Sequence, residues 1–280
     1  MMCYYMGFHC FPCVIYYLTH YSYLLIIGLP RGIKLSYLLK VFLHEDNLQV
    51  DGFKEKTVEG FVNDLKQQLP GLYSDYLISN PPPLQGDSKD STVVGAGEVH
   101  IICDPQDNFL DIMTALKEYF DKKATPDIYV CMDRLTHPTP FTNRGPATEV
   151  DEFKNNIISR IPSVVVVISP WDNIRILRRA TVLLELYCAI QTDRKRKFDI
   201  ALSSQEKKRL VDRVRQCKSD SGPADTIKKS LNLDFGASKC APPLSFEKHF
   251  PNADEAQQCM LKIEETLCDC LIEQSKSKEG

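Results

Sequence analysis

The stretch that decides the fold is Ser-Val-Val-Val-Val-Ile-Ser, residues Ser163–Ser169. Its apolar residues follow one another without alternation, which is typical of a central parallel strand because helices cover both faces of such a strand. On either side, short apolar runs alternate with stretches that carry apolar residues three and four positions apart. This alternation predicts an α/β fold with a mainly parallel sheet and helices on both faces.

The chain from Glu98 to Gln274 holds the whole strand-helix series. The predicted strands are Val99–Cys103, Asp127–Met132, Ser163–Ser169 and Phe198–Leu202. The predicted helices are Asn108–Lys122, Glu149–Arg160, Asn173–Arg194, Ser204–Cys217 with Ser204 as its cap, and Asp254–Gln274. Right-handed crossovers would place the carboxyl ends of all four strands on one rim, where ligands of such folds bind.

A linker is predicted before this series, at Ser79–Gly97, where three consecutive prolines precede a polar stretch and Gly-Ala-Gly. Upstream of it, Ile33–His44 and Lys54–Leu69 have the pattern of short amphipathic helices. The predicted organisation is therefore an apolar N-terminal segment (1–30), a helical extension (31–78), the linker (79–97), an α/β domain (98–274) and a tail (275–280).

The N-terminal segment carries no formal charge, and 16 of the 22 residues from Phe8 to Leu29 are apolar. This run is long enough to cross a bilayer, and the basic residues after it would leave the rest of the chain in the cytoplasm. Pro12, two histidines and many tyrosines argue against insertion, so a buried strand pair or a start codon placed too far upstream explains the run equally well. We expect a cytoplasmic protein, with membrane association through residues 8–29 as an open alternative.

Charge is unevenly distributed, although the 280 residues sum to only -3 and give no case for nucleic-acid binding by the whole chain. Between Arg175 and Lys218 there are 13 Lys/Arg and 5 Asp/Glu, a local net of +8. Such a segment suits a solvated helix face, and an anion-binding module is the functional alternative.

The usual signatures of cofactor and metal sites are absent from the sequence. There is no glycine-rich phosphate loop. The 11 cysteines do not include two pairs at the spacing of a zinc ribbon. Cys103, Cys131 and Cys188 lie inside apolar strand or helix patterns, where a free cysteine behaves as a small hydrophobic residue. Scattered, unpaired cysteines of this kind indicate structural thiols in a reducing compartment. We therefore predict neither a cofactor nor a metal.

One carboxylate stands out within Ala180–Ile190, where only Thr181 and Glu185 are not apolar. The residues three and four positions from Glu185 along a helix include no basic residue, so no local ion pair explains the charge. A carboxylate against apolar surface has a raised pKa, as general acids and bases often do. The alternative is that Glu185 faces solvent at a helix edge or pairs with a distant arginine.

Further polar groups are predicted on the rim. Cys103 and Asp104 end the first strand, Asp133 ends the second, and Trp171 follows the third. Trp171, the single tryptophan, suits either stacking on a flat ligand or covering the start of the next helix.

Four motifs together resemble a known family of domains. They are V-H-I-I-C (Val99–Cys103), D-I-Y-V-C-M-D (Asp127–Asp133), S-P-W-D-N (Ser169–Asn173) and L-R-R-A-T-V-L-L-E (Leu177–Glu185). They resemble uncharacterised domains of algae, protists and some animals that often occur beside tetratricopeptide or kinesin-light-chain-like repeats and are similar to Toll/interleukin-1 receptor (TIR) domains. The resemblance covers about Glu98 to Leu271 and implies a flavodoxin-like fold.

The resemblance also implies two functions. Some TIR domains hydrolyse NAD with a glutamate that corresponds to Glu185, and the pocket would then be lined by Cys103, Asp104, Asp133, Trp171 and Arg179. Other TIR domains only self-associate and signal. Because the family's first-strand S-H-x-W and its tryptophans near Glu185 are replaced here, the resemblance favours a non-catalytic signalling or scaffold module that contacts a protein partner or a second copy. NAD glycohydrolysis, with NAD as substrate, is the alternative.

Overall fold

The computed structural model describes ten parts of the chain, and the architecture below refers to them. They are residues 31–43, 52, 54–61, 63, 94–125, 127–132, 160–191, 197–216, 222–231 and 253–276. The apolar run 8–29, Asp133, the loop predicted at 134–148 and the helix predicted at 149–160 lie outside them, apart from Arg160.

A six-stranded mixed sheet forms the centre of the molecule. Four strands are parallel in the order β4-β3-β5-β6, namely β3 (Val99–Ile102), β4 (Tyr129–Met132), β5 (Ser163–Val167) and β6 (Lys197–Ala201). Two antiparallel strands, β1 (Arg31–Lys34) and β2 (Val94–Ala96), extend the sheet beyond β4. The predicted α/β class with a mainly parallel sheet is confirmed.

Six α-helices have defined bounds, and the described residues 58–61 form a further helical turn. The six helices are α1 (Leu35–Phe42), α2 (Phe109–Lys122), α3 (Ala180–Gln191), α4 (Ser204–Gln216), α5 (Pro223–Leu231) and α6 (Ala253–Lys276). A short 3-10 helix, Arg175–Arg178, precedes α3. The sequence predicted one helix over Asn173–Arg194, but Arg179 has extended backbone angles and separates the 3-10 helix from α3.

The sheet separates two apolar cores, because alternate residues of each strand point to opposite faces. Val99 and Ile101 belong to the core beneath α1, α2 and the helical turn at 58–61. Ile102 and its neighbours Cys131 and Val164 belong to the core beneath α3, α4, α5 and α6. The continuous apolar run of β5 serves both cores, as a strand covered on both faces requires.

Strands β1 and β2 come from segments that the sequence assigned to the extension and the linker. β1 pairs with β4, the register placing Ile33 opposite Val130. β2 pairs with β1 and passes so close to the Tyr129 ring that a Cβ atom on Gly95 would lie 2.7 Å from it. Glycine is required at this position because the ring occupies the space that a side chain would fill.

Helix α4 begins at Ser204 as predicted, but its capping residue differs from the prediction. Ser203, rather than Ser204, caps the helix, since its Oγ accepts a hydrogen bond from the Glu206 amide at 3.2 Å and its carbonyl accepts one from the Lys207 amide at 2.8 Å. Ser204 is the first helical residue, and its hydroxyl donates to Glu118 of α2 at 2.7 Å.

None of the helices in the described ranges combines the length and apolar character needed to cross a bilayer.

Candidate functional site

The candidate site lies where the loops after β3 and β5 meet at the carboxyl rim. These strands are neighbours, yet β3 leads through α2 to β4 on one side, whereas β5 leads through α3 to β6 on the other. The strand order therefore reverses between β3 and β5. In open α/β sheets, ligands bind in the crevice at such a reversal point.

One ion pair joins the two loops through Asp104. The Arg179 Nε lies 3.1 Å from Asp104 Oδ1, and the same carboxylate oxygen accepts a hydrogen bond from the Gln106 amide at 2.8 Å. Asp104 is buried, while the Arg179 side chain is about one-third exposed. The extended conformation of Arg179 places it between the 3-10 helix and α3, opposite the loop that carries Asp104.

A second ion pair, between Asp107 and Arg175, joins the same two loops. Arg175 Nη2 lies 3.0 Å from Asp107 Oδ1, but no described group meets hydrogen-bond geometry with that oxygen. Asp107 is only 2% exposed. Burial and the neighbouring Asp104 charge raise the pKa of Asp107 to about 7, because their effects exceed the opposing effect of Arg175. Asp107 therefore titrates near neutral pH.

Glu185 lies in α3 and contacts His100 of β3. The distance from Glu185 Oε2 to His100 Nε2 is 3.5 Å; His100 is fully buried and Glu185 is 9% exposed. His100 precedes the end of β3 by two residues, which places it roughly 7 Å below the rim at about 3.3 Å per residue. One partner of Glu185 is thus a histidine from β3.

Trp171 is buried in the core beneath α3, and its backbone amide donates a hydrogen bond to Glu206 Oε2 at 3.0 Å. The other oxygen of Glu206 accepts from Arg209 at 2.7 Å, and Arg209 also binds Asp172 at 2.6 Å. These contacts fix the loop after β5 to the first turns of α4. Of the two roles considered for Trp171, its burial agrees with the covering role.

The structure brings together only some of the predicted site residues. Asp104 and Arg179 are in direct contact. Cys103, which is half-buried, precedes Asp104 in the sequence. Glu185 contacts His100 below the rim, and Asp133 lies outside the described residues.

Sequence reasoning missed Asp107 and Arg175. No motif includes them, and the one available signal was that both follow predicted strands of a single sheet.

The cysteines have structural surroundings. The six that the structure describes are thiols, and Cys131, Cys188, Cys259 and Cys268 are buried. Burial raises the pKa of Cys131 to about 12, which keeps that thiol protonated and poorly nucleophilic. Within the described ranges, no group of three or more His, Cys, Asp or Glu side chains is arranged to hold a metal ion.

Comparisons of the chain with protein-family models, with curated proteins and with solved structures give no match.

Proposed function

We propose that this protein is a non-catalytic signalling or scaffold module that acts through protein–protein contacts on a TIR-related, flavodoxin-like fold. One observation carries the proposal: the polar side chains that an active site at the rim would use are bound to partners within the chain. Glu185 contacts His100, and Arg179 contacts Asp104. Both contacts favour an architectural role for these side chains.

The strand order supports the flavodoxin-like assignment. Numbered along the chain from β3, the parallel strands lie in the order 2-1-3-4, which matches the first four strands of the flavodoxin-like order 2-1-3-4-5. The antiparallel β1 and β2 extend the edge beyond β4 and are additional to that pattern.

The charges at the rim favour the scaffold over an NAD glycohydrolase. Binding the two phosphates of NAD would call for cationic side chains, but Arg175, Arg179 and Arg209 already pair with carboxylates. The carboxylates of Asp104 and Glu206 are buried beside those arginines, so an approaching phosphate would meet like charge. In addition, Glu185 contacts His100 below the rim of the sheet, not at the rim itself.

The outer face of α6 is a candidate contact surface. Leu261 is 52% exposed in the first half of this 24-residue helix, and the exposed residues Gln257, Gln258, Lys262 and Glu265 lie one turn or less from it. Among the residues that the structure describes, it is the one large apolar side chain recorded as exposed. An apolar side chain in a polar surround is the usual composition of a small contact site.

Incubation of the purified full-length chain with NAD tests the proposal against its enzymatic alternative. We expect no release of nicotinamide above the background given by heat-denatured protein. Release that is lost in Glu185→Gln would establish the glycohydrolase and overturn the scaffold proposal. Release that persists in Glu185→Gln would equally overturn it and would place the chemistry elsewhere in the chain.

Light scattering coupled to size exclusion tests for contact through α6. If Leu261 contributes to self-association, Leu261→Glu will lower the apparent mass at a given concentration, whereas the matched exposed change Lys262→Gln will leave it unchanged. If wild-type protein is monomeric at all concentrations, self-association is excluded and the partner is a different protein.

The anion-binding alternative rests on the basic segment from Arg175 to Lys218, within which Lys208 and Arg215 of α4 are exposed. It predicts binding to anionic lipid vesicles that falls steeply between low and physiological salt, because released counterions drive such binding. We expect weak binding in which Lys208→Gln has no effect, since α4 also carries acidic residues.

A further inference from the structure

A clasp of hydrogen bonds fastens residues 54–61 to the loop after β3. The Val58 amide donates to the Asp107 carbonyl at 3.0 Å, the Glu59 amide to the Pro105 carbonyl at 2.8 Å, and the Phe109 amide to the Lys56 carbonyl at 2.9 Å. We refer to these two segments, 54–61 and 104–109, as the clasp. It joins a segment from before the linker predicted at Ser79–Gly97 to one from the candidate site.

Side chains reinforce the clasp at both of its ends. The rings of Phe61 and Phe109 stack with centroids 4.2 Å apart and planes 8° from parallel. The Asn108 side-chain amide donates to the Lys54 carbonyl at 2.5 Å, and Asn108 also caps α2. The position of the loop is therefore linked to the start of α2 and to the aromatic core.

Two carboxylates are buried together within the clasp, and their surroundings differ. Asp104 accepts a hydrogen bond from the Gln106 amide and pairs with the Arg179 guanidinium. Among the described residues, Asp107 is contacted by the Asp104 backbone and by Arg175, whose side chain is 42% exposed and therefore partly solvated. When two carboxyl groups share a buried site, the pKa of one of them is raised, and here burial and the Asp104 charge raise that of Asp107.

The elements that pack against the loop of Asp107 carry several charged residues. Asp104 lies in its own loop, and Arg175 and Arg179 approach from the segment after β5. Lys56 and Glu59 belong to the other half of the clasp, and Asp111 lies in the first turn of α2. Among these residues, Arg175 and Asp104 act directly on the Asp107 carboxyl group, Arg175 through its guanidinium and Asp104 through both its charge and its backbone.

We propose that the clasp is a proton-dependent device, closed while Asp107 is protonated and loosened when Asp107 is ionised. A neutral carboxyl group is accommodated at 2% exposure beside Asp104, whereas a carboxylate there is stabilised by moving towards water. Loosening would release the contacts of residues 56–59 with the loop, and so alter the surface at the reversal point of the sheet.

The sign of the pH dependence follows from proton linkage. In the closed state the pKa of Asp107 is about 7, and in an opened, solvated state it returns towards its ordinary value near 3.8. The closed state therefore binds more protons between these two values, so raising the pH through this window favours opening, by up to about tenfold per pH unit. Above about pH 7 both states are ionised, and the opening equilibrium levels off.

Hydrogen exchange of the wild-type chain measures this opening directly. We expect protection factors of the Val58, Glu59 and Phe109 amides, corrected for the intrinsic pH dependence of exchange, to fall between pH 5 and 7 and to level above 7. Asp107→Asn cannot ionise, and we expect its clasp to stay protected at every pH. The Lys207 amide of α4 serves as an internal reference whose protection should not follow this profile.

Two comparisons keep the test decisive. Asp172→Asn removes an exposed carboxylate from the same rim, so the wild-type pH profile should persist in it. If Asp107→Asn does not fold, a carbon-13 titration of the Asp107 carboxyl in the wild type replaces it, with a midpoint near 7 expected. Corrected protection that is flat from pH 5 to 7, a slope that survives Asp107→Asn, or a carboxyl midpoint below about 5 would overturn the proposal.

Discussion

At the residue scale, the contact with His100 provides a partner for the Glu185 carboxylate, whose place in an apolar stretch the sequence left unexplained. Glu185 interrupts an apolar stretch of α3, and His100 lies opposite it in β3, fully buried. Buried polar groups are retained when they satisfy one another, because an unmatched buried group is costly. The pair thus fixes the position of α3 on the central strand.

We expect Glu185→Ala to lower the free energy of unfolding by roughly 1–3 kcal/mol, the usual effect of leaving a buried polar partner without its contact. A double-mutant cycle with His100→Ala, followed by urea denaturation, should give a coupling energy of about 0.5–3 kcal/mol. Glu265→Ala removes an exposed glutamate from α6 and should change stability by less than about 0.5 kcal/mol. A coupling energy near zero would show that the 3.5 Å contact adds no stability.

The sequence indicated which residues of the site were unusual, but not their partners. Glu185 stood out because its helical neighbours are not basic, and that observation holds in the structure. His100 is 85 residues away, and only the packing of α3 on β3 brings the two together. For Asp107 and Arg175 the sequence shows only that both follow predicted strands, since their contact depends on two loops that are adjacent only in the folded sheet.

At the scale of elements, the start of α4 is the best-defined connection between the rim and a helix. Ser203 caps the helix, and the Glu206 side chain accepts the Trp171 amide instead of returning to its own cap. A serine followed three residues later by glutamate is the sequence signature of a capping box. Here the Glu206 side chain binds the neighbouring loop instead. The first turn of α4 therefore contains both the cap of the helix and the contact with the segment after β5.

Removing the cap should destabilise α4. Ser203→Ala deletes the acceptor of the Glu206 amide, so we expect a loss of about 0.5–2 kcal/mol in the free energy of unfolding, measured by thermal or urea denaturation. Gln205→Ala, at an exposed position in the same turn, should change stability by less than about 0.5 kcal/mol. An equal loss in both variants would show that helix propensity, and not the cap, is responsible.

The structure departs from the sequence pattern where tertiary contacts compete with local preference. The periodicity over Asn173–Arg194 predicts one helix, yet Arg179 is extended and its side chain pairs with Asp104 across the reversal point. The sequence did not predict β2, because Gly-Ala-Gly in isolation is typical of a linker. Its pairing with β1 supplies the hydrogen bonds that make this segment a strand.

At the scale of the whole molecule, the segment before the predicted α/β domain is part of its sheet and core. β1 pairs with β4, and Leu35 and Leu38 of α1 are buried in the same core as α2. Val58 and Phe61 join that core from the clasp. A domain boundary drawn at Glu98 therefore divides one packed unit.

A chain that starts at Glu98 should accordingly fail to fold stably. It would lack the side chains of Ile33, Leu35, Leu38, Val58 and Phe61, each of which stabilises by roughly 1.5–3 kcal/mol when fully buried. The sum is comparable to the roughly 5–15 kcal/mol that separates folded from unfolded domains. The uncovered edge of β4 would also invite aggregation.

Circular dichroism and sedimentation of this chain provide the measurement. A chain starting at Arg31 keeps all six described strands and is the matched control, which we expect to remain soluble with a cooperative unfolding transition. A soluble, cooperatively folded chain from Glu98 would show that β1, α1 and β2 are dispensable.

The sequence alone determined the class of fold, because the apolar run of Ser163–Ser169 and the strand-helix alternation around it reflect local periodicity and burial on both faces. The tertiary structure alone decided that β1 and β2 complete the sheet, that His100 is the partner of Glu185, and that Asp104 and Asp107 meet the arginines across the reversal point. The physical reason is range: periodicity is set by neighbours within one or two turns, whereas ion pairs and strand order depend on residues that only the fold brings together.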